Sequence, residues 1–265
     1  MKQPDGDVVI SRHGKKFPGR NGSMQKEDVI PASWDDKHLM YITPEGAAEL
    51  REQGEQVLGD KQYALVVAVT SDFIRAIQSD GYFKEGGVPG LKDKTHLIQR
   101  GDLYDGNMDW RHPALPAYGN EQTVAEAYIR RLHEDFYFRQ QDGKLPCVAE
   151  LRYNFLSSVI EGIEYAQQRH DSGRTLFTHF SHALIIDTLA MTALDALDVY
   201  AKQRKATVNE RFRGHVGMGE MFTGTMDNLR TGNPTLELQV KGTVKGYTMR
   251  DLQRIQAQVY EHARA

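Results

Sequence analysis

The sequence predicts an α/β fold, a mostly parallel sheet with helices on both faces. Three observations predict it. Short apolar runs alternate with segments of helical period along the 265 residues. One run, Leu65–Val69 in "YALVVAVTSD", is continuously apolar and valine-rich, the pattern of a strand buried on both faces. Helix start and stop signals stand between the runs, most plainly Thr43, Pro44 and Gly59 around "TPEGAAELREQGEQVLG". The length suits one domain that buries its core without disulfides or metal staples.

Taken in order, Val8–Ile10 is a short buried strand, and a loop rich in Gly, Pro and charge follows from Gly14 to about Tyr41. The first helix is capped by Thr43, has Pro44 at its first position and stops at Gly59. After the valine-rich strand a second helix starts near Phe73, and "HLIQRG" holds a further short strand. Residues 121–139 and 148–170 have helical period, with "DGKLP" between them and "DSG" after them. "RTLFTHF", Arg174–Phe180, reads as a strand and "SHALIIDTLAMTAL" as a helix. "GEMFTGTM" and "TLELQVKG" read as antiparallel strands joined by the turn "DNLRTGNP", and the last helix starts near Met249. No repeat, low-complexity tract or linker divides the chain, so residues 1–265 read as a single domain. The stretches 15–41 and 100–170 read as insertions that cap the sheet's edge.

Composition narrows the function. A formal net charge of −3 argues against a general nucleic-acid binder, while a local basic site stays open. The single cysteine, Cys147, excludes a disulfide framework and a multi-cysteine zinc site. The N-terminus has no apolar run of signal-peptide length and no segment approaches a membrane span, so a cytoplasmic protein with no membrane partner is the expectation.

Chemistry gathers at three corresponding places. Arg12 and His13 follow the first strand, Arg75 follows the second in "VTSDFIRAIQS", and His179 ends the third in "LFTHFSH". Each lies at the C-terminal end of an apolar run, and in an open parallel sheet that edge is where ligands bind. Two guanidiniums and two imidazoles converging there suit an anion. Guanidinium grips phosphate with a fixed fork, and histidine adds a donor or a nucleophile. Helix N-termini just beyond the strands add backbone N–H groups. His182, three residues on, reads as a helix-surface residue.

The segments "SRHGKK", "TSDFIRAIQS" and "FTHFSHAL" together resemble the three signatures of the histidine phosphatase superfamily, the phosphoglycerate-mutase-like fold. The resemblance runs from Val8 to about Gly224. It implies a three-layer α/β/α sandwich with a phosphate pocket built by Arg12, His13, Arg75 and His179. His13 would be the nucleophile that carries the phosphoryl group, the arginines would neutralise its oxygens, and His179 would donate to them. Lys16 would reach the phosphate or a second anionic group. No metal or other cofactor is required by such a mechanism. The proton for the leaving group would come from Asp102 in "RGDLYDG", with Asp105 as its rival. The acid-phosphatase branch uses an aspartate directly after the second histidine. Here Phe180 stands there, which closes this route. The resemblance therefore implies a metal-independent phosphomonoester hydrolase acting on a small phosphorylated molecule. A phosphotransfer mutase and a non-catalytic phospho-ligand scaffold are the alternatives, and a homodimer stays open.

Overall fold

In the computed structural model the described residues are 5–16, 41–87, 90–103, 148–169, 173–182, 185–186, 219–231, 233–240 and 242–264. Strand β1, Gly6–Arg12, lies between β4, Thr175–Ser181, and β5, Met221–Asp227. With β2 (Leu65–Ser71), β3 (Thr95–Arg100), β6 (Thr235–Val240) and β7 (Thr243–Thr248) they form one seven-stranded sheet, ordered β3-β2-β4-β1-β5-β6-β7. The strands β3, β2, β4 and β1 pair in parallel, and β5, β6 and β7 add antiparallel. The parallel expectation therefore holds for the half that carries Arg12 and Arg75. Beyond β1, β5 and β6 form the antiparallel hairpin that the sequence predicts, and β7 extends it through another short connection. The strand β7 has no counterpart in the sequence expectations. Its Gly246 and Lys245 dilute the apolar signal, and Val244 is among the most exposed large apolar side chains.

Helices cover both faces, which makes the three layers. Helices α1 (Pro44–Leu58) and α2 (Ile74–Gly87) share a core with Val9, Val66, Leu176 and Phe180 through Leu50, Leu58 and Phe83. Helices α3 (Val148–Gln168) and α4 (Met249–Arg264) share the other core with Val8, Ile10, Val67, Val69 and Phe177 through Leu151, Phe155, Val159 and Leu252. Alternate residues of β1 thus serve opposite cores, as the two-residue strand period requires. Each such fully buried side chain contributes roughly 1.5–3 kcal/mol. The end signals on α1 work as read: Thr43 Oγ1 accepts from Gly46 N at 3.0 Å, and Pro44 opens the helix. A Cβ on Gly54 would collide with the Phe83 carbonyl, and one on Gly86 with the Arg51 carbonyl, so α1 and α2 touch backbone to backbone.

One boundary needs correction. Residues 148–168 were expected to be part of a cap, yet they are α3, and Leu151, Phe155, Val159 and Ile163 sit in the main core. Most of the two expected caps, residues 17–40 and 104–147, lies outside the described residues, as does the helical segment 121–139. Of "SHALIIDTLAMTAL" only the start is described, where Ile186 N donates to His182 O at 3.0 Å. Among the described residues no helix is long and apolar enough to cross a membrane.

The N-terminal end of β1 is closed by charge. Buried Asp7 accepts from both Nε and Nη2 of Arg174, at 2.6 and 2.7 Å, and from Tyr63 Oη at 2.7 Å. Lys61 adds a contact at 3.3 Å. Burial pushes the Asp7 carboxyl up, but these hydrogen bonds and charges outweigh it and hold it below the usual carboxylate range.

Candidate active site

Parallel pairing of β1 and β4 aligns Arg12 with Ser181. The next residue of each strand is a histidine, so the register itself sets His13 beside His182. His13 N donates to Ser181 O at 2.9 Å, and the two imidazoles meet edge to face with centroids 5.3 Å apart. Arg75 comes from the first turn of α2, directly after β2. Its Nη2 donates to His182 Nδ1 at 3.1 Å, and its guanidinium carbon lies 4.8 Å from the centre of the Phe73 ring. The same Phe73 ring stands edge-on to His182, at 5.4 Å. Arg12 completes the group from the end of β1.

The loop after β1 is fixed by α2 and the approach to α1. Gly14 N donates to Ser79 Oγ at 3.0 Å, while Ser79 Oγ donates to Arg75 O at 2.6 Å. Thr43 N donates to Lys15 O, Lys16 bridges to Ile42, and Ile42 N donates to Gln78 Oε1 at 3.0 Å. A Cβ on Gly14 would meet Leu50 Cδ1 at 2.7 Å, so a side chain there requires Leu50 to shift. The stretch "RAIQS" thus contributes Arg75 directly and holds the loop through Gln78 and Ser79.

Within this cluster His13 is buried and neutral. Its Nδ1 faces Gly14 O at 2.8 Å, and a carbonyl only accepts, so Nδ1 carries the proton and Nε2 keeps its lone pair. Burial, followed by the charges of Arg75, Arg12 and Lys16, outweighs the stabilising carbonyl and lowers the His13 pKa to about 3. His182 is likewise pushed well below the ordinary histidine range by burial, then by Arg75, His13, Arg12 and Lys16. The arrangement combines an uncharged imidazole nitrogen bearing a lone pair with guanidiniums and a second imidazole. Among the described residues no group of three or more His, Cys, Asp or Glu side chains is placed to hold a metal ion.

By sequence the chain matches no family model and no curated protein. By structure it resembles mycobacterial hydrolase 1, with a TM-score of 0.51 and 14% identity over 91% of this chain and 99% of that one. A mycobacterial glucosyl-3-phosphoglycerate phosphatase aligns at a TM-score of 0.51 and 15% identity over 90% and 99% of the two chains. YhfR of Bacillus stearothermophilus aligns at 0.50 and 14% over 91% and 98%. The chain shares the three-layer α/β fold of these structures, as the sequence predicts.

Within this fold the site expectations sort clearly. The structure brings Arg12, His13 and Arg75 together. It does not bring His179 to them. The strand β4 continues through Ser181, so His179 lies inside it, in register with Ile10 and Val69. Its Nε2 meets Ser158 Oγ on α3 at 3.0 Å, its ring lies 4.9 Å from Phe155, and it is fully buried. Burial above all lowers its pKa to about 3. The imidazole that belongs to the cluster is His182, expected on a helix surface but 2% exposed. The missed signal was the match between "VVISRHG" and "FTHFSHA": in each, a histidine directly follows the last strand residue.

Asp102 is a second correction. Its two oxygens accept from Arg100 Nε and Nη2 at 2.8 and 2.5 Å, and Arg100 also reaches Glu161 at 2.9 Å. It lies in the turn Gly101–Leu103, whose Leu103 O accepts from Ser181 Oγ at 2.9 Å. Both carboxylate oxygens are engaged as ion-pair acceptors on a half-exposed surface, so a proton-donor role requires this pair to open. Asp105, its rival, lies outside the described residues. Lys16 is exposed at the rim and acts on both imidazoles through its charge.

Proposed function

We propose that the protein is a phosphomonoester hydrolase that works through a phosphohistidine on His13. The carrying observation is the His13 ring: Nδ1 donates to Gly14 O at 2.8 Å, which turns the lone pair of Nε2 toward a ligand. In the first step Nε2 attacks phosphorus and the bond to the ester oxygen breaks. The leaving oxygen takes a proton from solvent, and the water of the second step returns one. In the second step water attacks the phosphohistidine and releases inorganic phosphate, returning the lone pair to Nε2. Arg12 and Arg75 hold the phosphoryl oxygens and His182 adds a hydrogen bond, so charge is stabilised where it develops. The folds of the mycobacterial phosphatase and hydrolase neighbours support this class of activity.

With Asp102 occupied by Arg100, the reading favours esters whose leaving group needs little protonation. The test is hydrolysis of p-nitrophenyl phosphate with a chelator present. The expected result is turnover by the native chain, its loss in His13→Ala, and an acid-labile phosphoryl group trapped on the native chain by rapid quench. Turnover by His13→Ala at the native rate excludes the proposal.

A further inference from the structure

His182 poses a problem of hydrogen-bond direction. A guanidinium only donates, so Nδ1 of His182 accepts from Arg75 Nη2 at 3.1 Å, and the ring is neutral with its proton on Nε2. That proton points to Ser71 Oγ at 3.0 Å, at the buried C-terminal end of β2. To serve a phosphoryl oxygen, His182 must instead donate from Nδ1. The charged and titratable groups facing it are Arg75 from α2, Arg12 and His13 from the end of β1, and Lys16 from the loop beyond. These surroundings oppose a second proton on the ring. A hydroxyl, unlike a carboxylate, can accept or donate by rotating about its C–O bond.

We infer that Ser71 is a positioning residue whose hydroxyl reverses its hydrogen bond when an oxyanion enters, so that His182 turns from acceptor to donor at Nδ1 without changing charge. In the empty site Arg75 donates to Nδ1, and Nε2–H donates to Ser71. In the filled site Arg75 turns its N–H to the oxyanion, Nδ1–H donates to the oxyanion, and Ser71 Oγ–H donates to Nε2. One proton leaves Nε2 for solvent and one comes from solvent to Nδ1, so the balance is zero. Phe73, which touches both the guanidinium and the imidazole, keeps the two planes in place during the exchange. The inference rests on the proposed phosphatase reading.

The test uses the full chain with ring-¹⁵N-labelled histidine and tungstate, a dianion with no proton to give near neutral pH. A protonated and an unprotonated imidazole nitrogen resonate far apart, so the tautomer is read directly. Expected on adding tungstate is a switch of the His182 proton from Nε2 to Nδ1. Calorimetry in two buffers of different ionisation enthalpy should then find no net proton uptake. Ser71→Thr keeps both behaviours. Ser71→Ala binds tungstate but leaves the tautomer mixed and lowers kcat about 10- to 100-fold with little change in KM. Uptake of one proton per tungstate with both nitrogens protonated overturns the inference, as does an unchanged tautomer in the filled site. In either case p-nitrophenyl phosphate turnover that depends on His13 leaves the phosphatase reading standing. Absence of both tungstate binding and turnover removes the two together.

Discussion

His179 and His182 sit three residues apart, both are buried, and each has its Nε2 3.0 Å from a serine hydroxyl. Burial is the leading cause that pushes each pKa down. They differ in company. The ring of His179 lies against Phe155 and sits in register with Ile10 and Val69 in the α3-side core. His182 faces another imidazole, two guanidiniums and a lysine. Perturbed titration alone therefore does not mark a working histidine. Convergent charge around the ring is the stronger pointer, because like charges gathered together gain most when a ligand of opposite sign arrives.

The two residues should separate cleanly on mutation. On the proposed function His182→Ala removes a donor to the transition state, so kcat for an aryl phosphate is expected to fall about 10²- to 10³-fold, more than any loss of folded protein accounts for. His179→Ala should do the reverse. It opens a cavity under α3 and costs about 2–4 kcal/mol of stability, read by chemical denaturation, with kcat within a few-fold of native. A large kcat loss in His179→Ala without loss of stability would return His179 to the active site and break the comparison.

The same pair sharpens through pH. His179 is neutral in the folded chain down to about 3, while in the unfolded chain it titrates near the ordinary 6.5. Between those values the unfolded state binds the extra proton. Stability then rises with pH, and it is lost as pH falls from the unfolded value toward the folded one. Replacing His179 with Leu removes one such group. The slope of unfolding free energy between about pH 4 and 6 should flatten by about 1.4 kcal/mol per pH unit. An unchanged slope would mean that His179 is already protonated in the folded state.

Much of this was legible in the sequence, for local reasons. The Thr43–Pro44 start of α1, the valine-rich β2 and the β5–β6 hairpin are all set by residues within one turn or one strand of each other. Arg12, His13 and Arg75 were legible because each directly follows a strong apolar strand. His182 was not, since "TLFTHFSH" offers two histidines and apolar content suggests that the strand ends at Phe180. The hydrogen-bond ladder carries β4 one residue further, to Ser181, and that is fixed by pairing with Arg12, 169 residues earlier. The expected cap at 148–170 failed for a related reason. Helical period shows that α3 has an apolar face, but not that the face meets Val69 and Phe177 rather than a ligand.

The smallest predicted effect concerns Asp102, which the sequence favoured as the proton donor. Its pair with Arg100 is half-exposed, and such pairs contribute about 0–1 kcal/mol. Asp102→Asn keeps the shape of the side chain and one acceptor for Arg100, while Glu161 retains its own contact at 2.9 Å. Stability should therefore fall by less than about 1 kcal/mol. A general acid matters for a poor leaving group and hardly at all for p-nitrophenolate. If Asp102 only secures the turn that carries Leu103 O to Ser181, rates for alkyl and aryl phosphates should both stay within about 3-fold of native, since no transition-state contact is lost. A selective collapse of alkyl ester hydrolysis in Asp102→Asn would show that the carboxyl leaves Arg100 during turnover and delivers the proton after all.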